Sequence, residues 1–513
     1  MVDVLLFTDL AQLAFGRAAG AYRIATELRN HGYTVQVVDH FTWLIRDDLL
    51  KLEAIIEKFV GPNTLFIGFS STFFNLEHDL KLIDSQKSMP GKNNLEFGRV
   101  DGVPLSDESM LHIKTLAKSK NPKIKLVVGG TKAVHKHGIH IDIFVEGYGD
   151  TAVIKLAKWL QGSNPFFQYK NLGDGRILVN DDPKASQFDF KQSNITWHES
   201  DLIEPQEVLP MEVARGCIFS CKFCAFPLNG KKRLDFIKSE DVLYAEFMRN
   251  YEMFGVTKYV FADDTYNDSL DKLEILANVY NRLPFKIGYS TYLRHDLMYA
   301  HPEMITLLKE SGLQAATFGV ETLNWKAGKA IGKGLHPEKT KEILQRAKDE
   351  WGPNVSTYSG FIIGLPHETP ETVAEWAEEI LDCKYPIDSV RFVPLAIFPN
   401  SPATFKSEFE LNYQKYGYKF DDPSDKFNWS NDAFTYNQAN KLAYDIYLHA
   451  RHTGRLRTGS FFSMMLLNCG VPWEDIRTYS ELHLIQKYNR INMRQRMSDM
   501  YYEKLMKVSN GSV

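Results

Sequence analysis

The chain has 513 residues, 44% hydrophobic and 24% charged, and this length and composition are sufficient for several hydrophobic cores. Sixty basic and 64 acidic side chains leave a net charge of -4, which gives no sign of the basic surface that nucleic-acid binding usually requires. Five cysteines are too few for a disulfide scaffold and favour a reducing compartment. The sequence has no apolar run of about 18 residues and no basic export signal, so it predicts a cytoplasmic protein without membrane segments.

The first 162 residues alternate β-branched runs with amphipathic stretches, which is typical of a doubly wound parallel sheet flanked by helices. Residues 85–104 are polar and rich in Gly and Pro, and this predicts a surface loop. The predicted strands are 2–8, 34–40, 64–71, 123–130 and 141–147. The predicted helices lie near 18–32, 47–59, 106–119 and 150–161.

Small residues stand at the carboxyl ends of these strands, where such sheets bind ligands. They are Ser70, Ser71, Gly129, Gly130 and Gly147. Isolated glycines also simply turn the chain. However, the order "LRNHGYTVQVVD", "IGFSS", "VVGG" and "IDIFVEGYGDTAVIKL" resembles the cobalamin-binding domain that precedes many radical S-adenosylmethionine enzymes. The resemblance covers residues 1–162 and implies that these five residues line a cobalamin site.

The loop after the first strand departs from that family. Its Asp-x-His-x-x-Gly signature carries the histidine that binds cobalt from below, but this chain reads "TDLAQLAFG", with Ala11 two residues after Asp9. Two interpretations remain open. Either cobalamin binds without a protein imidazole, or the domain has lost the cofactor.

Three of the five cysteines, Cys217, Cys221 and Cys224, follow the spacing Cys-x3-Cys-x2-Cys. Three thiolates on one loop can hold three irons of a cubane cluster and leave the fourth iron open to another ligand. A zinc site is the alternative, but it would need a fourth ligand nearby, and the next histidine is His295. The spacing therefore favours an iron-sulfur cluster.

The segment "MEVARGCIFSCKFCAF" resembles the signature of the radical S-adenosylmethionine (SAM) superfamily, including Phe223 before the third cysteine. The resemblance implies that the three cysteines ligate a [4Fe-4S] cluster whose open iron chelates SAM, with Phe223 beside it. One electron from the reduced cluster would then break the bond between sulfur and C5', giving a 5'-deoxyadenosyl radical. The cofactors supply this chemistry, and the protein positions them.

Later segments follow the order of the family's SAM-binding strands. "TKYVFADDTYND" ends a strand at Asp263 and Asp264, which by the resemblance receive the SAM ammonium, although they could equally begin a turn. By the same resemblance, Arg294 in "KIGYSTYLRHDL" lies near a carboxylate or ribose, and Glu321 in "GLQAATFGVET" approaches the nucleoside. A solvated arginine and a surface glutamate are the respective alternatives.

The segment "YSGFIIGLPHETPET" provides the fifth strand of this series. Glycines inside a strand allow a ligand to approach the backbone. The resemblance implies that Gly360, Ile362 and Gly364 line the adenine site. Together with "DSVRFVPLAIFPNSP", the series predicts a partial barrel of six strand-and-helix units over residues 208–404.

The predicted organisation is a Rossmann-like domain over 1–162, a linker over 163–207, the partial barrel over 208–404 and a helical region over 405–513. The predicted function is a radical SAM enzyme, either a cobalamin-dependent methyltransferase or a cobalamin-free enzyme that abstracts hydrogen before rearrangement, cyclisation or oxidation. An iron-sulfur redox protein is a further alternative. The predicted partners are a small-molecule substrate and a reductant such as flavodoxin or ferredoxin. No catalytic side chain is assigned.

Overall fold

The computed structural model describes residues 1–10, 15–46, 49–70, 105–130, 140–163, 168–181, 189–225, 236–400, 406–423, 425, 427–454, 457 and 461–509. These residues form two large, mainly parallel sheets and a helical C-terminal part. The mixed α/β fold predicted from the sequence is confirmed. The predicted loop 85–104 lies outside the described residues.

The first sheet has seven strands in the order β2-β1-β3-β4-β5-β7-β6. Strands β1 to β5 confirm the five predicted strands, and each is almost entirely buried because helices cover both faces. The strands are β1 (Val4–Phe7), β2 (Val35–Val38), β3 (Phe66–Ser70), β4 (Lys125–Gly130), β5 (Ile143–Gly147), β6 (Tyr169–Gly173) and β7 (Arg176–Asp181). The helices are α1 (Ala19–Asn30), α2 (Phe41–Leu44), α3 (Leu50–Phe59), α4 (Asp107–Lys120) and α5 (Ala152–Leu160).

The segment 163–207 is more than the linker that the sequence predicted. β7 pairs in parallel with β5, and β6 pairs antiparallel with β7, so this segment adds a hairpin to the first sheet. Asp174 and Gly175 form the turn with φ values of 49° and 83°, the left-handed conformation that suits a tight hairpin. Ile177, Leu178 and Val179 are buried and attach the hairpin to the core.

The second sheet has six parallel strands in the order β13-β12-β11-β10-β9-β8, as expected for the partial barrel. They are β8 (Leu209–Met211), β9 (Lys258–Phe261), β10 (Gly288–Leu293), β11 (Leu313–Glu321), β12 (Ser356–Ile363) and β13 (Ser389–Pro394). The helices are α6 (Glu240–Phe254), α7 (Leu270–Arg282), α8 (His295–Ala300), α9 (Glu303–Glu310), α10 (Trp325–Ala330), α11 (Pro337–Trp351) and α12 (Pro370–Leu381).

The C-terminal part is helical, as predicted, with one short hairpin formed by β14 (Lys419–Phe420) and β15 (Trp429–Ser430). Its helices are α13 (Glu408–Asn412), α14 (Tyr436–His452), α15 (Trp473–Thr478), α16 (Glu481–Lys487) and α17 (Arg490–Leu505). A 3-10 helix, Phe461–Cys469, contributes Met464 and Met465 to the hydrophobic core that contains Leu5 and Phe7 of β1. This 3-10 helix therefore packs into the first sheet's core.

Among the described helices, none is both long and apolar enough to cross a lipid bilayer.

Candidate functional site

The three clustered cysteines lie on the loop that follows β8, at the carboxyl edge of the second sheet. Cys217 is buried, and its Sγ lies 3.3 Å from Oγ1 of Thr265. Burial raises the pKa of the Cys217 thiol to about 11, so a bound metal would have to supply the charge that keeps it as a thiolate. Cys221 and Cys224 are half-buried, and the Cys224 amide donates to the Cys221 carbonyl at 3.0 Å.

Two neighbouring segments hold this cysteine loop in place. The Lys222 amide donates to the Ile331 carbonyl, and the Phe409 amide donates to the Lys222 carbonyl, both at 2.9 Å. On the barrel side, a Cβ added at Gly332 would lie 3.7 Å from the Ser220 carbonyl oxygen. Gly332 has a φ of 73°, and this left-handed backbone favours glycine.

Arg294 lies against the cysteine loop. Its guanidinium stacks on the Phe219 ring at 3.9 Å, and its Nη1 lies 3.5 Å from Sγ of Cys221. Asp296 fixes its orientation through two hydrogen bonds of 3.0 and 2.6 Å. Arg294 is therefore not the solvated arginine of the alternative interpretation, and its nearest site group is a cysteine thiol.

The two adjacent aspartates after β9 have different surroundings. Asp263 is buried with Oδ2 2.9 Å from Nζ of Lys272, and its Oδ1 accepts a 3.0 Å hydrogen bond from the Thr265 amide. Asp264 is half-buried, and the backbone amide of Gly216, directly before Cys217, acts to lower its pKa. Burial and the neighbouring Asp263 raise the pKa of Asp264 to about 7. Of the two, Asp264 has the carboxylate better placed for a ligand.

Glu321 ends β11 in the left-handed conformation, with a φ of 68°, and its Oε1 lies 2.8 Å from Nζ of Lys333. A Cβ on Gly319 would lie 2.3 Å from that Nζ, so glycine leaves the space that the ion pair occupies. The Lys333 ammonium lies 6.0 Å from the centroid of the Phe223 ring. Lys333 is a site residue that the sequence interpretation missed, and its position between Gly332 and Gly334 was the available signal.

The three residues predicted on β12 have two different roles. A Cβ placed on Gly360 would meet nothing within 4 Å, and half-buried Ile362 lies on the same face, so both border open space inside the barrel. At Gly364 a Cβ would lie 2.4 Å from the Trp429 ring. The packing of Trp429 therefore explains why Gly364 has no side chain, and its adenine contact stays a prediction.

The buried carboxylate of Glu368 stabilises the turn after β12 through hydrogen bonds. Its buried carboxylate accepts hydrogen bonds from the Gly364 amide at 3.1 Å, the Leu365 amide at 3.0 Å and the Thr322 hydroxyl at 2.6 Å. Burial raises the pKa of Glu368 to about 7 despite these donors. Sequence analysis did not single out this residue, whose function is to fix the two strand ends next to each other.

The predicted cobalamin-site residues stand at the carboxyl edge of the first sheet. Ser70, Gly129 and Gly130 are half-buried, whereas Gly147 is buried. Gly130 and Gly147 have φ values of 143° and 86°, which other residues rarely adopt. Ser71 lies outside the described residues. The described residues at this edge thus leave a surface of small side chains.

The part of this edge that follows β1 and β2 is closed. Among the described residues after β1, 8–10 and 15–18, there is no histidine. His40 follows β2, but its Nδ1 lies 3.0 Å from Nη2 of Arg494 and its ring stacks on Phe15 at 3.9 Å. Burial lowers the pKa of His40 well below its usual value. Its Nδ1 is thus engaged by α17, and stacking and burial confine the ring.

Arg215 joins the carboxyl edges of the two sheets. Two residues before Cys217, it donates from Nη1 to Asp150 at 2.8 Å and from Nε to Glu212 at 2.7 Å. Its guanidinium also lies 4.6 Å from the centroid of the Tyr148 ring. Because Tyr148 directly follows Gly147, this contact holds the β5 end of the first sheet against the start of the cysteine loop.

A family comparison agrees with this geometry. Residues 211–380, which include the cysteine loop and strands β9 to β12, match the model of the Radical SAM superfamily. These residues therefore form a Radical SAM domain. The match to this domain confirms the predicted [4Fe-4S] cluster and SAM as cofactors.

Two solved radical SAM enzymes share the fold over nearly the whole chain. The methyltransferase TsrM from Kitasatospora setae, solved with cobalamin and a [4Fe-4S] cluster, superposes with a TM-score of 0.61 at 15% identity, covering 98% of this chain and 100% of TsrM. The cobalamin-dependent enzyme OxsB, solved with aqua-cobalamin and SAM, gives 0.60 at 14% identity, covering 96% of this chain and 72% of OxsB. At these identities the likeness establishes the fold.

Curated relatives of this chain include an uncharacterised methyltransferase of Pyrococcus horikoshii, which is 24% identical over 63% of this chain and 74% of the relative. The hopanoid C-2 methylase of Rhodopseudomonas palustris is 24% identical over 37% of this chain and 36% of the methylase. An anaerobic magnesium-protoporphyrin IX monomethyl ester cyclase of Cereibacter sphaeroides is 24% identical over 50% of this chain and 44% of the cyclase. These relatives span more than one reaction type.

Proposed function

We propose that the protein is a cobalamin-dependent radical SAM methyltransferase. The observation that carries this proposal is the Arg215 bridge, whose 2.8 Å contact with Asp150 holds the small-residue edge of the first sheet against the cysteine loop. A cofactor lying on that edge would therefore face the SAM site. The methyltransferase names among the relatives and the fold of TsrM support the same proposal.

In this proposal Cys217, Cys221 and Cys224 bind the cluster. The three free thiols on one loop fit a cubane with one open iron, and the Arg294 guanidinium beside Cys221 offsets thiolate charge. The reduced cluster supplies the electron that cleaves SAM. Phe223 lines the SAM site.

The SAM groups meet complementary side chains. Asp264 receives the ammonium, whereas Asp263 positions the preceding turn through Lys272. Lys333 binds the carboxylate while it remains paired with Glu321, which lies beside the ribose. The open space at Gly360 and Ile362 accepts the adenine.

Gly129, Gly130 and Gly147, together with Ser70 and Ser71, would hold cobalamin at the first sheet's edge. The left-handed Gly130 and Gly147 and the half-buried Gly129 fit a flat ligand, because they present backbone rather than side chains. When bound, cobalamin carries the methyl group. The described part of the loop after β1 would offer no imidazole to cobalamin, because it contains no histidine.

A cobalamin-free radical enzyme is the second candidate. The closed edge after β1 and β2 favours it, because Phe15, His40 and Arg494 occupy the region beside the loop where the family carries its cobalt-binding histidine. Such an enzyme would use the same SAM site for hydrogen abstraction. Both candidates act on a small molecule inside the barrel and draw electrons from a flavodoxin or ferredoxin in a reducing compartment such as the cytoplasm.

Cobalamin binding distinguishes the two candidates. Protein purified aerobically is titrated with hydroxocobalamin and passed through a gel-filtration column. We expect about one corrinoid per chain to elute with the protein, and the Co(II) form to show an electron paramagnetic resonance spectrum without nitrogen superhyperfine splitting. No retained corrinoid at any ratio would exclude the methyltransferase and leave the cobalamin-free enzyme.

Product analysis provides the second part of the test. Anaerobically reconstituted enzyme with dithionite and SAM should form 5'-deoxyadenosine in either candidate. Failure to form it, with a full cluster present, would contradict both candidates and indicate an iron-sulfur redox protein.

A further inference from the structure

One surface of the molecule is basic although the whole chain is acidic. Residues 324–334, which include α10, contain Lys326, Lys329 and Lys333 and no acidic residue, whereas the chain carries a net charge of -4. Lys326 and Lys329 are exposed, and Lys333 points into the SAM site through its contact with Glu321. The two exposed lysines therefore have no assigned function in the SAM site.

This basic surface lies directly outside the cysteine loop. The Ile331 carbonyl, after α10, accepts the hydrogen bond from the Lys222 amide, and Lys222 directly follows Cys221. A Cβ at Gly332 would lie 4.0 Å from Cα of Cys221, and Gly332 itself is exposed. Little more than one layer of backbone thus separates solvent from a predicted cluster ligand.

The surface continues on the other side of Lys222. Phe409 of α13 donates its amide to the Lys222 carbonyl, and the 3-10 helix Tyr413–Tyr416 that follows carries exposed Lys415. Lys415 lies 3.6 Å from Glu408, an acidic residue within this surface. Two large apolar residues are also exposed, Trp325 at 37% and Leu411 at 61%. We name this surface the lysine face, and its members are Lys222, Trp325, Lys326, Lys329, Leu411 and Lys415.

We propose that the lysine face docks a small acidic one-electron donor protein of the flavodoxin type. The inference rests on the proposed function, because it assumes a cluster at the cysteine loop. An acidic donor would be repelled by the net charge of the chain, so a local basic surface is needed to steer it. Electron-transfer encounters use small interfaces, and exposed Trp325 and Leu411 supply apolar contact area on the lysine face.

The redox step is a single electron transfer at this face. The flavin hydroquinone of the donor loses one electron and becomes a semiquinone, and the cluster is reduced from the 2+ to the 1+ state. Because transfer slows steeply with distance, the position directly outside Cys221 is favourable. A cluster held by the three cysteines would have its open iron available to SAM.

The test compares two double variants of the reconstituted holoenzyme. K326E/K329E changes the lysine face. The matched control, K118E/K123E, reverses two exposed lysines at the amino edge of the first sheet, which is opposite to the edge that meets the cysteine loop. Stopped-flow absorbance follows cluster reduction by flavodoxin hydroquinone at low and high salt, and dithionite-driven formation of 5'-deoxyadenosine provides the independent readout.

At low ionic strength we expect K326E/K329E to slow reduction by flavodoxin about 10-fold or more, with the difference disappearing near 0.5 M salt because charges at a surface are screened. The control variant and all dithionite-driven reactions should match the parent. Unchanged reduction of K326E/K329E by flavodoxin, or an equal loss in the control, would overturn the lysine face as the docking site. Loss of the dithionite reaction in the parent would instead contradict the proposed function.

Discussion

Polar residues at the carboxyl edges of the two sheets differ in their access to solvent. At the ends of β1 and β2, Asp9 and His40 are buried and face Arg494 of α17, at 3.7 and 3.0 Å. At the ends of β11 and β12, Glu321 pairs with Lys333, but the neighbouring Gly360 borders open space and Ile362 is half-buried. The first edge is closed by the C-terminal part of the chain, whereas the second remains accessible.

We infer that the charged residues at the first edge stabilise the packed fold, whereas those at the second edge are available to bind ligands. A buried ion pair without access to solvent stabilises the packed state only while both partners are present, because removal of one leaves a charge without compensation. A partly exposed pair beside open space can instead reorganise around a ligand. We therefore expect substitutions at the first edge to change stability and those at the second edge to change cofactor binding.

The largest effect is expected at the cysteine loop of the open edge. Replacing Cys217, Cys221 and Cys224 together by Ala should remove the cluster completely, from about four irons per chain to none, because the three thiolates are its proposed protein ligands. Iron and sulfide analysis after anaerobic reconstitution measures this. The far-ultraviolet circular dichroism spectrum should remain that of the parent. A full cluster in the triple variant would show that other residues are the ligands.

The second-largest effect is expected at the closed edge, which follows β1 and β2. Arg494→Leu should lower the free energy of unfolding by about 3 to 5 kcal/mol, because Asp9 would remain buried without its cation. Urea unfolding followed by circular dichroism measures the change. Arg496→Leu on the exposed face of the same helix is the control and should change stability by less than about 0.5 kcal/mol. Equal free energies of unfolding for the two variants would show that Arg494 does not stabilise the packing of the closed edge.

Much of the fold could be predicted because hydrophobic runs specify buried parallel strands. Strands β1 to β5 and the six barrel strands follow such runs. The hairpin of β6 and β7 was missed, although Asp174 and Gly175 form the Asp-Gly pair that favours a tight turn. Its strand β6 is largely exposed and polar, so the hydrophobic pattern that identified the other strands was absent there.

The site was less predictable because its contacts join residues that are distant in sequence. Trp429, which lies 65 positions after Gly364, fills the space that a side chain at residue 364 would need. Local sequence does not reveal this packing contact. Similarly, Arg494 engages His40 through a helix near the C-terminus. The cysteines could be identified because their spacing is local. Which of the two adjacent aspartates is proposed to meet a ligand depends on Lys272, which forms a 2.9 Å ion pair with Asp263.

The smallest effect concerns these two aspartates within the open edge. Asp264→Asn should weaken SAM binding by about 1.5 to 3 kcal/mol, which corresponds to roughly 10-fold to 150-fold in Kd, because one charge-assisted hydrogen bond to the ammonium is lost. Isothermal titration calorimetry of the anaerobic holoenzyme measures it, with iron content as the check on the cluster.

Asp263→Asn is the matched variant, since it changes the adjacent carboxylate by the same atoms. It should leave Kd for SAM within about 3-fold of the parent while lowering stability, because the buried Lys272 would retain only Asp268, at 3.4 Å, as its acidic partner. If Asp263→Asn weakened SAM binding more than Asp264→Asn did, then Asp263 would be the ligand-binding aspartate. The buried ion pair between Lys272 and Asp263 would then form part of the ligand-binding site at the open edge.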